Sequence, residues 1–215
     1  MSKPERGRLI TVEGMDGAGK SSHINGICQQ IEAAGHAVIC TREPGGTPLG
    51  EQLRNLLLNT PMNLETEALL MFAARREHVA AVIEPALSAG TWVLSDRFAD
   101  ASFAYQSSAR GIDWQRMQLL EQWVLDGLQP DLTLLFDLPA EMAVERTHRR
   151  APEDRFEQET LDFHERVRQG YWRRRDESPT RFVTIDASGS LEAVAGQVHE
   201  QIARCLENWR RGVAP

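Results

Sequence analysis

The chain has 215 residues and a mass of 24.2 kDa, enough for one α/β domain with a substantial core and short for two independent ones. Its 41% hydrophobic and 26% charged residues lie near the averages for globular proteins, which excludes wholesale disorder and fibrous architectures. A formal net charge of -7 argues against a surface that collects polymeric nucleic acid through its phosphates, although a local basic pocket for a small anion is compatible with it.

Residues 8–13 (RLITVE) form a short β-branched run that stops at Gly14, and an amphipathic segment follows from about Lys20 to Ala34. The pattern predicts strand, glycine loop, helix. Gly35 closes that helix, and 37–41 (AVICT) predicts a second strand running into the turn-rich Glu43-Pro44-Gly45-Gly46-Thr47. Helical spacing of apolar residues recurs over 49–58 and 65–87, with Asn59-Thr60-Pro61 as a break between them. A buried strand is expected at 91–95 (TWVLS), which ends at the charged pair Asp96-Arg97. Further along come a helix at 115–125, a strand at 132–137 (LTLLFD), a helix at 140–150, a strand at 181–185 and a closing helix at 191–209. Strands alternating with helices predict a parallel sheet of five strands with helices on both faces.

Gly14-Met15-Asp16-Gly17-Ala18-Gly19-Lys20-Ser21 satisfies the pattern G-x-x-x-x-G-K-[ST], and it sits between a predicted strand and a predicted helix, the context that gives the pattern meaning. Glycines let successive backbone N–H groups turn inward around phosphate oxygens, and the helix that starts near Lys20 adds its positive end. Lys20 is expected to reach the β- and γ-phosphates of a nucleotide and the Ser21 hydroxyl to ligate Mg²⁺. The motif indicates nucleotide binding and leaves the reaction open.

Three constellations favour a small-molecule kinase over a switch GTPase or a motor. Asp96-Arg97 stands at a strand's carboxyl end, where α/β sheets bind ligands; the carboxylate suits Mg²⁺ and the arginine a second phosphate. Asp137, after the next strand, is a rival metal carboxylate, and the adjoining arginine favours Asp96. Arg146, Arg149, Arg150 and Arg155 cluster in RTHRRAPEDR, with Pro152 interrupting the helix. Phosphoryl transfer needs positive charge on the moving group, and the loop interior from Met15 to Ala18 supplies none, so this cluster reads as an arginine-bearing lid at about 146–157. Arg42, Arg54 and Arg75, gathered around Thr41-Arg42-Glu43-Pro44-Gly45-Gly46-Thr47, would offer a recessed pocket for a monophosphate and its base.

Taken together, EGMDGAGKS, TREPGGT, the E-x-L-R of Glu51 to Arg54, FAAR before His78, SDR, AYQ (Ala104 to Gln106) and TIDAS (Thr184 to Ser188) resemble the bacterial thymidylate kinases over nearly the whole chain. That resemblance implies a three-layer P-loop NTPase fold in a single domain. It also implies transfer of the ATP γ-phosphoryl group to thymidine 5′-monophosphate, on the route to thymidine triphosphate. ATP would lie on Gly14 to Ser21 and Ser22. Arg54 and Arg97 would hold the acceptor phosphate, Arg75 and Gln106 would read the thymine edge, and Asp16 would fix the sugar region. Tyr105 would close on deoxyribose, and Glu43, Pro44 and Ser102 would complete the substrate pocket. Arg149, Arg150 and Arg155 would be catalytic from the lid, beside Lys20 and Asp96.

Two positions depart from the family pattern. An aromatic residue usually precedes the base-reading arginine by four positions; here that position is Met71, with Phe72 next to it, so either could meet the base. The Asp-Arg pair is usually followed by Tyr or His, and here by Phe98.

The alternatives are a kinase for another nucleoside monophosphate or for a deoxynucleoside, and a slow nucleotide-dependent switch. A GTPase switch would call for an N-K-x-D segment, which the sequence lacks. The three cysteines, Cys28, Cys40 and Cys205, are far apart with no C-x-x-C spacing and are expected to be buried reduced thiols. No stretch approaches the ~18 apolar residues of a membrane span, and 1–8 is polar, so a cytoplasmic protein is expected, a homodimer by the resemblance.

Overall fold

The computed structural model describes residues 6–149, the backbone of Arg150 and residues 159–213. Five strands, β1 (Leu9–Gly14), β2 (Val38–Arg42), β3 (Trp92–Asp96), β4 (Leu132–Asp137) and β5 (Phe182–Asp186), form one sheet in the order β2-β3-β1-β4-β5. Every pairing is parallel, as the alternation of elements predicts. β1, central in the sheet, is buried along its whole length, whereas the edge strands β2 and β5 are partly exposed.

Alternate residues of β1 enter different layers. Ile10 and Val12 join Leu94 in a core completed by Ile27 and Ile31 of α1 (Ser21–Ala33) and by Val198 and Ile202 of α9 (Leu191–Arg210). Leu9 joins Val93 on the other side, against Ala68 and Phe72 of α3 (Leu64–His78) and Met117 of α6 (Trp114–Leu125). The sheet is therefore the middle of three layers. Helix α2 (Pro48–Asn59) is capped by Thr47, whose side chain accepts from the Gly50 amide, and α3 by Asn63, which accepts from Glu65. The Asn63 cap starts a new helix just past the break expected at Asn59 to Pro61. The single helix expected over 65–87 is α3, a π-helical stretch Val79–Ile83 and α4 (Glu84–Ser88) in succession.

Two helical regions exceed the expectation. Residues 99–109 coil as α5 (Ala99–Ser102) and a π-helical stretch, Phe103–Ala109. Past α7 (Ala140–Arg150), α8 (Leu161–Glu177) is charged along its length, yet its Arg174 is buried, donating to Asp100 at 2.7 Å and to Glu121 at 2.6 Å. Phe163, Val167 and Tyr171 give α8 an apolar stripe at i, i+4 and i+8, narrow among the charged residues around it and passed over in the sequence.

The expectation of three separate thiols holds only for Cys205, which is buried and free. Helix α1 packs on β2 and sets Cys28 beside Cys40, and the two are joined as a disulfide. The pairing arises from tertiary contact between positions of no motif spacing.

Candidate active site

The register of the sheet decides what meets at its carboxyl edge. Val12 of β1 and Arg42 of β2 both pair with Asp96 of β3, and Gly14 pairs with Phe136 of β4. The glycine loop thus begins two residues beyond the level of Asp96 and curls back over it. Gly14 has φ 137° and a Cβ there would lie 2.4 Å from the Phe136 carbonyl oxygen, so only glycine lets the loop leave the strand at this point. At Gly17, with φ 80°, a Cβ would meet the Ala143 carbonyl of α7 at 2.3 Å.

Lys20 is buried, with its ammonium donating to the carbonyls of Gly14 and Met15, both at 2.9 Å. Burial pushes it down to about 8, helped by the neighbouring Arg97 cation and opposed by Asp16, Asp96 and Glu13. The Ser21 hydroxyl faces Asp96 Oδ2 at 3.4 Å, and Asp96 Oδ1 is buried without a hydrogen-bond partner. Hydroxyl and carboxylate oxygens are the hard donors Mg²⁺ takes alongside phosphate and water, so these two side chains fit the expected ion. The rival carboxylate is engaged elsewhere: Asp137 accepts from Arg168 Nε and Nη2 at 2.8 and 2.9 Å and from Trp172 Nε1 at 3.2 Å.

Arg97 follows Asp96 with φ 68°, a left-handed conformation uncommon outside glycine and often found at ligand sites. The turn swings its guanidinium back over the loop. It donates to the Gly14 carbonyl, to the hydroxyls of Tyr171 and Tyr105 and to the Asp16 carboxylate. Tyr105 donates in turn to Asp16 Oδ2 at 2.7 Å and accepts from the Asp16 amide. Burial alone would raise the Asp16 carboxyl, but Arg97, Lys20 and Tyr105 outweigh it and hold Asp16 at about 2. The three residues expected at the acceptor sugar and phosphate therefore form one hydrogen-bonded group.

A cavity of about 210 Å³ opens beside that group and runs from Lys20, Ser21 and Asp96 to Arg54, Met71, Arg75 and Gln106. Glu43, Pro44, Arg97, Ser102 and Tyr105 also line it, so nearly all of the expected substrate residues share one wall system. Arg54 Nη1 donates to the Pro44 carbonyl at 3.0 Å. Arg75, only 2% exposed, is gripped on two sides: Nε donates to Glu43 at 2.7 Å, and Nη2 to the Phe98 carbonyl and the Ser102 hydroxyl. Its Nη1 has no hydrogen-bond partner although buried, which leaves one strong donor for a ligand. Gln106 donates from Nε2 to Glu67 at 2.8 Å.

The structure also separates Met71 from Phe72. Met71 lines the cavity, whereas Phe72 is buried in the core and supports the Arg75 guanidinium, whose carbon lies 4.6 Å from the ring centroid. Phe98 lines the cavity too, and its backbone amide donates to Glu13. Among the lid arginines, Arg149 is exposed and pairs with Glu145, outside the cavity lining. Arg146 donates to the carbonyls of Ala187 and Ser188 and so anchors the loop after β5. The side chain of Arg150, and Arg155 entirely, lie outside the described residues.

Sequence reasoning missed Glu13, Tyr171, His78 and Glu67. Glu13 accepts from the Phe98 amide at 2.7 Å and from the Tyr171 hydroxyl at 3.0 Å; burial, reinforced by Asp100, raises it to about 8. His78 links Glu43 at 2.9 Å to Thr41 at 2.7 Å and so ties the TREPGGT segment to α3. An acid inside the apolar run of β1 was the available signal for Glu13.

The family model described as "Thymidylate kinase" matches residues 12–198 of this chain. The thymidylate kinase of Methylobacillus flagellatus is 56% identical over 193 residues, covering 90% of this chain and 95% of its own length. Those of Cupriavidus pinatubonensis and Cupriavidus metallidurans are 56% and 57% identical, each covering 92% of this chain and 98% of its own.

Proposed function

The chain belongs to the thymidylate kinase family, and we propose that it carries out that family's reaction, transferring the ATP γ-phosphoryl group to thymidine 5′-monophosphate to give thymidine 5′-diphosphate. The observation that carries this reading is the single cavity joining Lys20, Ser21 and Asp96 at one end to Arg54, Arg75, Arg97, Tyr105 and Gln106 at the other. A donor triphosphate and an acceptor monophosphate bound at those two ends would meet beside Lys20 and Arg97. Holding both substrates in line supplies much of the rate enhancement for a transfer that asks little covalent chemistry of the protein.

Lys20 would exchange its two loop carbonyls for phosphate oxygens, and the backbone from Gly14 to Ser22 would cradle the triphosphate. Ser21 and Asp96 would hold Mg²⁺, which neutralises charge on the transferred group when bound. Arg54 and Arg97 would hold the acceptor phosphate. An acceptor phosphate oxygen is already ionised at neutral pH, so the acceptor needs no general base. Asp16 and Tyr105 would position deoxyribose, and Met71 would pack against the base while Arg75 and Gln106 read its edge. Arg149, Arg150 and Arg155 of the 146–157 lid would supply positive charge during transfer. Single-domain organisation and a cytoplasmic setting accompany this reading; no helix among the described residues is long and apolar enough to cross a membrane.

We also propose a homodimer. Helices α3 and α6 pack together and carry large exposed apolar side chains, Leu69 at 54%, Leu119 at 66% and Trp123 at 79%. Such side chains on neighbouring helices suit a second copy of the chain. The test of the catalytic reading is ATP- and Mg²⁺-dependent formation of diphosphate from purified protein. Acceptance of thymidine monophosphate ahead of other deoxynucleoside monophosphates supports it, and preference for another acceptor overturns the roles of Arg75 and Gln106.

A further inference from the structure

Gln106 presents either an acceptor or a donor to the cavity, depending on which way its amide is turned, and a base reader that can turn discriminates poorly. Glu67 sits behind it. This carboxylate, on α3, is 0% exposed and receives Gln106 Nε2 at 2.8 Å; the Arg110 guanidinium lies 3.5 Å from the same carboxylate oxygen. A carboxylate accepts only, so it takes the NH₂ end of the amide and leaves Oε1 as the end available to the cavity.

We propose that Glu67 is a positioning residue for specificity: it locks the Gln106 amide so that the cavity sees an acceptor from Gln106 beside the spare Nη1 donor of Arg75. The proposal rests on the reading that Arg75 and Gln106 face the base. A pyrimidine with a carbonyl at C4 and a proton on N3 complements that donor and acceptor, whereas one with an amino group at C4 and a bare N3 opposes both. Arg75 cannot reverse its polarity, being all donor, so Gln106 is the one element of the pair that needs fixing. Arg110 sharpens the consequence of losing Glu67. Arg110 is also held by Glu159 at 2.8 Å, so with the Glu67 carboxylate gone it would remain nearby as a donor, favouring the Oε1 end of Gln106 and so a turn of the NH₂ group into the cavity.

The test compares kcat/KM for thymidine and deoxycytidine monophosphates in the wild type, Glu67→Met, Gln106→Ala and the double variant. The proposal expects Glu67→Met to lower the thymidine preference by about tenfold or more when Gln106 is present, and by less than about twofold in the Gln106→Ala background. A preference unchanged by Glu67→Met, or lowered equally in both backgrounds, overturns it, because a merely structural carboxylate acts regardless of Gln106. A wild type with no thymidine preference overturns the base-reading assignment itself. Should Glu67→Met fail to fold, NMR on the wild-type complex with thymidine monophosphate decides: Gln106 Nε2 protons close to the Glu67 methylene protons support the lock, and Nε2 protons close to the base overturn it.

Discussion

Arg75 Nε donates to Glu43 Oε2 at 2.7 Å, and both side chains are 3% exposed, so this cavity-lining arginine is held by a carboxylate brought from a different layer of the fold. Glu43 lies just after β2, and Arg75 is on α3. Replacing Glu43 by Gln leaves the Arg75 cation buried and loosens its aim. The expected cost is about 3 kcal/mol or more in urea unfolding, because removing one partner of a buried pair strands the other. KM for thymidine monophosphate should rise in the same variant. Unchanged stability would show that the pair is weakly coupled.

The Lys20 ammonium gives a pH prediction. Burial and Arg97 lower it to about 8 in the free protein, and in the proposed mechanism its charge grips phosphate. kcat/KM for ATP, which reports the free enzyme, should therefore fall as pH rises through about 8, well below the ordinary lysine range. A profile flat to pH 10 contradicts this account.

Glu13 links pH to stability. Its folded value, about 8, lies above the ordinary 4.5, so the folded protein holds a proton that the unfolded chain releases. The stability this contributes is fully present below pH 4.5 and is lost as pH rises to about 8. Glu13→Gln, which cannot ionise, should become progressively more stable relative to the wild type across that interval. Chemical unfolding at pH 5 and pH 8 measures it, and a pH-independent difference would reject the assignment.

The lid arginines test the mechanism. Replacing Arg149 or Arg155 by Ala should lower kcat by ~10³ with much less change in KM, as expected for charge that acts mainly on the transition state. If neither substitution alters kcat, the lid does not supply that charge.

Oligomeric state is read most simply by mass. Light scattering should give twice 24.2 kDa for the wild type and a shift toward the monomer for Trp123→Asp. A wild-type mass near 24.2 kDa rejects the dimer.

Sequence and structure agree best where backbone chemistry dictates the outcome. The G-x-x-x-x-G-K-S loop needs glycine at φ values near 137° and 80°, so its residues announce its shape. Buried parallel strands such as LTLLFD announce themselves by continuous apolar runs. Arg75 and Gln106 were singled out by their motif company, and both line the cavity. What stayed hidden was the layer behind them. Glu67, Glu13 and Asp100 are carboxylates inside apolar elements, whose partners lie 39, 158 and 74 residues away in the chain. No local pattern marks such pairs, whereas α8 did carry a narrow stripe, Phe163, Val167 and Tyr171, which its many charged residues masked. The Cys28 to Cys40 disulfide is likewise a product of the helix–strand contact.

The measurement closest to the central claim is ATP- and Mg²⁺-dependent phosphorylation of thymidine, deoxyuridine, deoxycytidine and deoxyguanosine monophosphates, side by side, with purified protein. The account predicts diphosphate formation with thymidine monophosphate well ahead of deoxycytidine and deoxyguanosine monophosphates. Equal use of all four, or ATP hydrolysis indifferent to any acceptor, would contradict it.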